Sequence, residues 1–229
     1  MNPMTRLSPV LAMALLAACT QPSPPAPGGE SAVDVEAAPA GEPVADGGPA
    51  AGEPAPAADA QARGQAAMKE FGDTLRTELR MAMGRDGADG AVAFCHDQAP
   101  VIAEQVMARH GVRLGRVAVP GRNRNPGNVP SGWQGEVLAG FQQAVADGGA
   151  PEAQVAVLRD GLPDGVALRL ARGIRVEAAC LMCHGDNIAP PIAERLAALY
   201  PDDRATGFLE GDLRGLVWVE VLADKEPLP

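Results

Sequence analysis

Apolar residues at Met68, Phe71, Leu75, Leu79 and Met83 recur three and four positions apart, which predicts an amphipathic helix over 66–83. A second helix is expected from Asp89 to His110, with Val92, Cys95, Ala99, Ile102 and Val106 as its apolar stripe and Gly111 as its stop. Pro100 lies inside that stretch and is expected to kink or divide it near Gln98. "VRLGRVAV" predicts a strand over 112–119, closed by the turn-rich "PGRNRNPGNVPSG". Trp133, Val137, Phe141 and Val145 mark a third helix that stops at "DGG". "GVALRLARGIRVE" alternates apolar and polar residues and reads as a hairpin or two short strands running into "CLMCHG". "APPIAERLAALY" predicts a short helix opened by its prolines, and "GDLRGLVWVEVL" a last strand. Helices first and strands after them give an α+β fold, with N-terminal helices packed on a small antiparallel sheet.

These periodic patterns stop short of the N-terminus. Arg6 followed by "LSPVLAMALLAA" is too short to span a bilayer but suits the apolar region of an export signal over 1–18. Leu16, Ala17 and Ala18 directly before Cys19 resemble the bacterial lipobox, in which cleavage exposes the cysteine for lipidation. Residues 19–60 are rich in Pro, Ala, Gly and Glu and carry almost no large apolar side chain, so they are expected to form a disordered tether. The folded domain is then 61–229. These features predict a periplasmic protein anchored to a membrane through lipid on Cys19. Thr20 after that cysteine resembles outer-membrane sorting, with the inner membrane as the alternative.

Composition adds one exclusion. The net charge is −10, and the tether carries Glu30, Asp34, Glu36, Glu42, Asp46, Glu53 and Asp59 without a basic residue. Neither a basic stripe nor, at 3% aromatic residues, a base-stacking platform remains to bind nucleic acid.

The chemistry concentrates at 180–185. CxxCH is the attachment signature of haem c: Cys180 and Cys183 would add their thiols to the haem vinyl groups, and His184 would bind the iron. A zinc site would need two further ligands, and Cys95, His96 and His110 show no second CxxC or HxxxH spacing. A thioredoxin-like pair would begin a helix after a strand, whereas "CLMCHGDN" runs into Gly and Asn. Export favours haem c, because the covalent attachment is made outside the cytoplasm.

Cys95 is then the unassigned thiol, and its place in the apolar stripe of the second helix aims it at the core. It reads either as a sixth-position iron ligand or as a small buried hydrophobe, in which case His96, Met107 and His110 compete for the iron or the position is open. Arg122 and Arg124, in the turn-rich loop, could neutralise haem propionates or stand as solvated charges. Asn125, Pro126 and Asn128 read as loop-shaping residues, and Asp212 as the turn before the last strand.

"AVAFCHDQAPVIAEQV", "RNRNPGNVPSGW", "CLMCHG" and "YPDDRATGFLEGDLRGLVWVEV" together resemble a family of exported single-haem c-type proteins with a PAS-like fold, first described in cyanobacteria. The resemblance covers nearly all of residues 65–223 and implies iron held by His184 and Cys95, with His96 as the alternative to the cysteine. "SGWQGEV" departs from it, since members tend to carry an acidic residue after the tryptophan. The implied function is single-electron transfer by one covalently bound haem c per chain, working with a redox partner protein. The alternative is a haem-based redox or gas sensor acting through a signalling partner. A haem peroxidase is disfavoured, because no Arg/His pair stands out near His96.

Overall fold

The computed structural model describes residues 56–223, so the export signal, Cys19 and most of the expected tether lie outside the described residues. Helix α1 (Pro56–His110) contains both expected helices, joined end to end. Its dihedrals leave the helical region only at Gly87, at φ 69° and ψ −165°, a conformation that glycine reaches without a Cβ clash. The break therefore falls at Gly87 and not near Pro100. Pro100 cannot donate to the carbonyl of His96, but both residues are exposed, so water can serve that oxygen and the helix continues. The helix also starts inside the stretch expected to be tether. Proline is favoured at a first helical position, and "AADAQA" after it contains strong helix formers.

Four strands follow: β1 (Val112–Ala118), β2 (Val155–Leu158), β3 (Val166–Arg175) and β4 (Leu213–Leu222). They form one antiparallel sheet in the order β1-β4-β3-β2. The fold is α+β, as the sequence pattern implies. "GVALRLARGIRVE" is a single strand, and its hairpin partner is β2, with Val155 paired to Arg172 and Leu158 to Arg169. The edge strand β2 has only four residues and exposes Val155 and Val157, so its pattern is too short and too weakly buried to register as a strand.

Alternation along the strands divides the core. Val112, Leu114, Leu168, Leu170, Val219 and Val221 face α1, where Ala67, Phe71, Ile102 and Val106 cover them. Val117, Ala171, Leu213 and Leu216 belong to the second cluster, with Leu138 and Phe141 of α2 (Trp133–Ala146). Each fully buried large apolar side chain contributes about 1.5–3 kcal/mol. Two further helices complete the fold: the single turn α3 (Leu181–His184) and α4 (Pro190–Leu199). Ile192 and Leu196 of α4 pack on Val92 of α1, with Cys183 and Tyr200 against them. No described helix is long and apolar enough to cross a membrane.

Candidate functional site

The CxxCH motif is carried on one turn. A 3-10 segment, Ala178–Cys180, leads from β3 into α3, with Cys180 at its N-cap and Gly185 closing it by donating to Leu181 O at 2.8 Å. The pair therefore does begin a helix after a strand, contrary to the sequence expectation, although Gly185 ends that helix after four residues. Cys180 packs with Leu181 against the cluster beneath α2, while Cys183 packs beside Val92, Ile192 and Leu196. Both thiols are free and partly buried, and burial pushes the Cys183 thiol above its usual range.

His184 is held from three sides. Its Nδ1 lies 2.7 Å from Ala205 O, and since a carbonyl can only accept, Nδ1 carries the proton and Nε2 presents a lone pair. Phe208 stands edge-on to the ring, with centroids 6.4 Å apart at 84°. Phe208 N donates to His184 O at 2.9 Å, and Gly207 N donates to Gly185 O at 2.8 Å, so the 205–208 segment is stitched along α3. Burial first, and then the positive charge of Arg214 and Arg124, holds the imidazole down to about 3, so it stays neutral and able to ligate a metal.

Cys95 comes from the second half of α1 and is partly buried. Burial pushes its thiol upward, Cys183 adds to that, and Arg116 and Arg124 oppose it. The fold thus brings Cys95 and the attachment turn into one electrostatic neighbourhood. His96, its neighbour in sequence, is exposed, with its Nδ1 2.6 Å from Asp97 Oδ1 and its ring edge-on to Tyr200 at 5.3 Å. His110 is further removed, bonded to Glu70 at 2.6 Å. Met182 projects outward at 45% exposure, and Met107 packs with the α1 core. Among the described residues no three His, Cys, Asp or Glu side chains converge as a metal-ligand set.

The two loop arginines lie at the site but are engaged by protein groups. Arg124 donates to Asp203 Oδ2 at 2.9 Å and to Cys183 O at 2.6 Å, and the ion pair is only 11% exposed on each side. Arg122 lies over Phe208, with Cζ 3.4 Å from the ring centroid, donates to Thr206 O at 2.7 Å, and sits 4.0 Å from Asp212. Together they tie the turn-rich loop to α3 and to the 203–208 segment. Asn125 caps the short 3-10 turn Pro126–Asn128 by accepting from Gly127 N, and Asp212 accepts from Leu209 N at 2.9 Å. Both therefore shape backbone, as their residue types suggest.

Sequence reasoning missed Ala205, Phe208, Arg116 and Arg214. A carbonyl carries no side-chain signal, but Arg116 had one. It shares the strand face of Val112 and Leu114, so it is a charged residue at an inward position. Its guanidinium lies 5.7 Å from the centroid of Phe71.

The donor set suits a haem: two thiols and a neutral imidazole on one turn, and a further thiol from the facing helix. A cleft of about 210 Å³ opens beside it, lined by His96, Arg124, Leu199 and Tyr200 among others. That is below the roughly 300–1,000 Å³ of pockets that enclose a cofactor, so a porphyrin held by His184 would have to part these side chains.

A family model described as Tll0287-like matches residues 55–221, a span that includes Cys95, Arg116, the 180–184 turn and Arg214. Among solved structures, the chain is similar to the crystal structure of the cyanobacterial heme-protein Tll0287, at 24% identity and a TM-score of 0.47. That similarity covers 69% of this chain and 98% of the other. No curated protein matches the chain.

Proposed function

The chain belongs to the Tll0287-like family, and from that premise we propose that it is a haem protein, an exported single-haem cytochrome of the c type that carries single electrons. The observation that carries the reading is the clamp on His184. An imidazole whose Nδ1 is committed to a backbone carbonyl, directly after two free thiols on one turn, is an iron ligand already fixed in tautomer and orientation. In this reading Cys180 and Cys183 would hold the haem through thioether bonds, each made by adding a thiol S–H across a vinyl group with no change in oxidation state. His184, through Nε2, and Cys95 would be the residues that hold the iron. Bound haem supplies a one-electron couple, and thiolate ligation favours the ferric state and a low potential.

Lipid on Cys19 would hold the protein at the membrane, and the acidic segment after it would let the domain reach a redox partner. The test is the visible spectrum of the matured, dithionite-reduced protein, before and after carbon monoxide. A c-type α-band that ignores the gas supports electron transfer through an iron held on both faces. A clear shift contradicts it and favours a sensor whose sixth ligand leaves on reduction.

A further inference from the structure

Four guanidinium groups, those of Arg116, Arg122, Arg124 and Arg214, gather around His184 and Cys95, and two of them have a carboxylate within 4.0 Å: Arg124 pairs with Asp203 and Arg122 with Asp212. Arg116 and Arg214 make no ion pair among the described residues. Arg214 donates only to a neutral carbonyl, Arg122 O at 3.1 Å, and rests over Phe208 at 4.7 Å. Arg116 makes no hydrogen bond among the described residues; its guanidinium stands over the face of Phe71, within electrostatic reach of Cys95 and Tyr200. Both side chains are partly buried, on adjacent strands that are paired antiparallel. Arg116, Arg124 and Arg122 repel the Arg214 guanidinium and only Asp203 offsets them, from beyond ion-pair distance, so two such cations without an ion pair are costly unless an anion joins them.

We propose that Arg116 and Arg214 are the carboxylate-binding pair of this site and take the two propionate groups of the haem, an assignment that rests on the functional reading above. The match is in number and in chemistry: two unpaired guanidinium groups for two carboxylates, each able to donate a two-pronged pair of hydrogen bonds. The electrostatics agree with the geometry. Burial, and next the charge of Arg116, pushes the Arg214 guanidinium down to about 10, a shift that a bound carboxylate would reverse. Arg122 and Arg124 become the frame around this pair, with their donors committed to Thr206, Cys183 and Asp203.

The experiment is resonance Raman spectroscopy of the matured holoprotein, reading the propionate bending band in wild type, Arg116→Met, Arg214→Met and Arg113→Gln. Arg113 lies on the same strand but is paired with Glu220 and over half exposed, so it serves as the control. The expected result is a displaced band in each Met variant, a larger displacement in the double variant and none in Arg113→Gln. A band unmoved in both Met variants overturns the assignment. If those variants fail to retain haem, Arg116→Lys and Arg214→Lys keep the charge but lose the two-pronged geometry. The band is then expected to move in them, and an unmoved band overturns the assignment equally. A wild type without covalent haem overturns the functional reading and the assignment together, so the two failures are told apart.

Discussion

His184 Nδ1 lies 2.7 Å from the carbonyl oxygen of Ala205, and the ring is thereby fixed before any metal arrives. The carbonyl is itself positioned, because Ala205 N donates to Asp203 Oδ1 at 2.8 Å while Asp203 Oδ2 accepts from Arg124. One carboxylate thus links the loop, the attachment turn and the histidine.

Asp203→Ala is expected to destabilise the protein by about 3–5 kcal/mol, because it leaves the Arg124 guanidinium unpaired at 11% exposure. Asp203→Ala combined with Arg124→Met should cost less than the sum of the single changes. Chemical denaturation of all three variants measures the coupling, and strict additivity would show that the pair is not a unit.

Cys95→Ser is expected to leave haem attached, since the proposed attachment residues lie on the 180–184 turn and not on α1, and to change the ferric visible spectrum by replacing the proposed thiolate ligand. His96→Ala should leave the spectrum as it is, because His96 is bonded to Asp97 and turned onto Tyr200. The opposite pattern would transfer the sixth position to the histidine.

Phe208 is 1% exposed and is packed by Arg122, Arg214 and the edge of His184. Phe208→Ala should cost about 3–5 kcal/mol, and Phe208→Leu should recover much of it by filling the volume. Thermal unfolding of the two variants gives the comparison.

Gly215 opens the run of β4 that pairs with β1, opposite Ala118 and next to Arg214, and a Cβ there would meet Val117 O at 2.0 Å and Ala118 Cα at 2.8 Å. Both obstacles are backbone, so Gly215→Ala must open the β1–β4 ladder at the end that carries Arg214. A loss of several kcal/mol in denaturant stability is expected, since overpacking against backbone exceeds the usual cost of about 1–3 kcal/mol.

The parts of this site that lie close together in sequence were legible there. Three residues on one turn, Cys180, Cys183 and His184, are visible because their spacing is local, and Cys95 is visible because helical period places it on an apolar stripe. The partners that orient His184 are not, since Ala205 contributes only backbone and lies 21 positions away. Arg122 and Arg124 were located by their loop, but their protein partners were not legible, because what occupies their donors depends on Asp203, Cys183 and Thr206, which folding alone brings near. Arg116 was readable in principle as a charge at an inward strand position, yet nothing local says what it faces. The break in α1 went to Gly87 because an exposed carbonyl before Pro100 can turn to water, which is a fact of burial and not of residue type.

The central claim, covalent haem on the 180–184 turn, is tested most directly by the mass of the chain produced with export and c-type maturation. The account predicts a gain of one haem per chain that survives denaturation and acid extraction, and its loss when Cys180 and Cys183 are both replaced by alanine. A chain that leaves maturation at its polypeptide mass, or releases its haem on acid extraction, would contradict it.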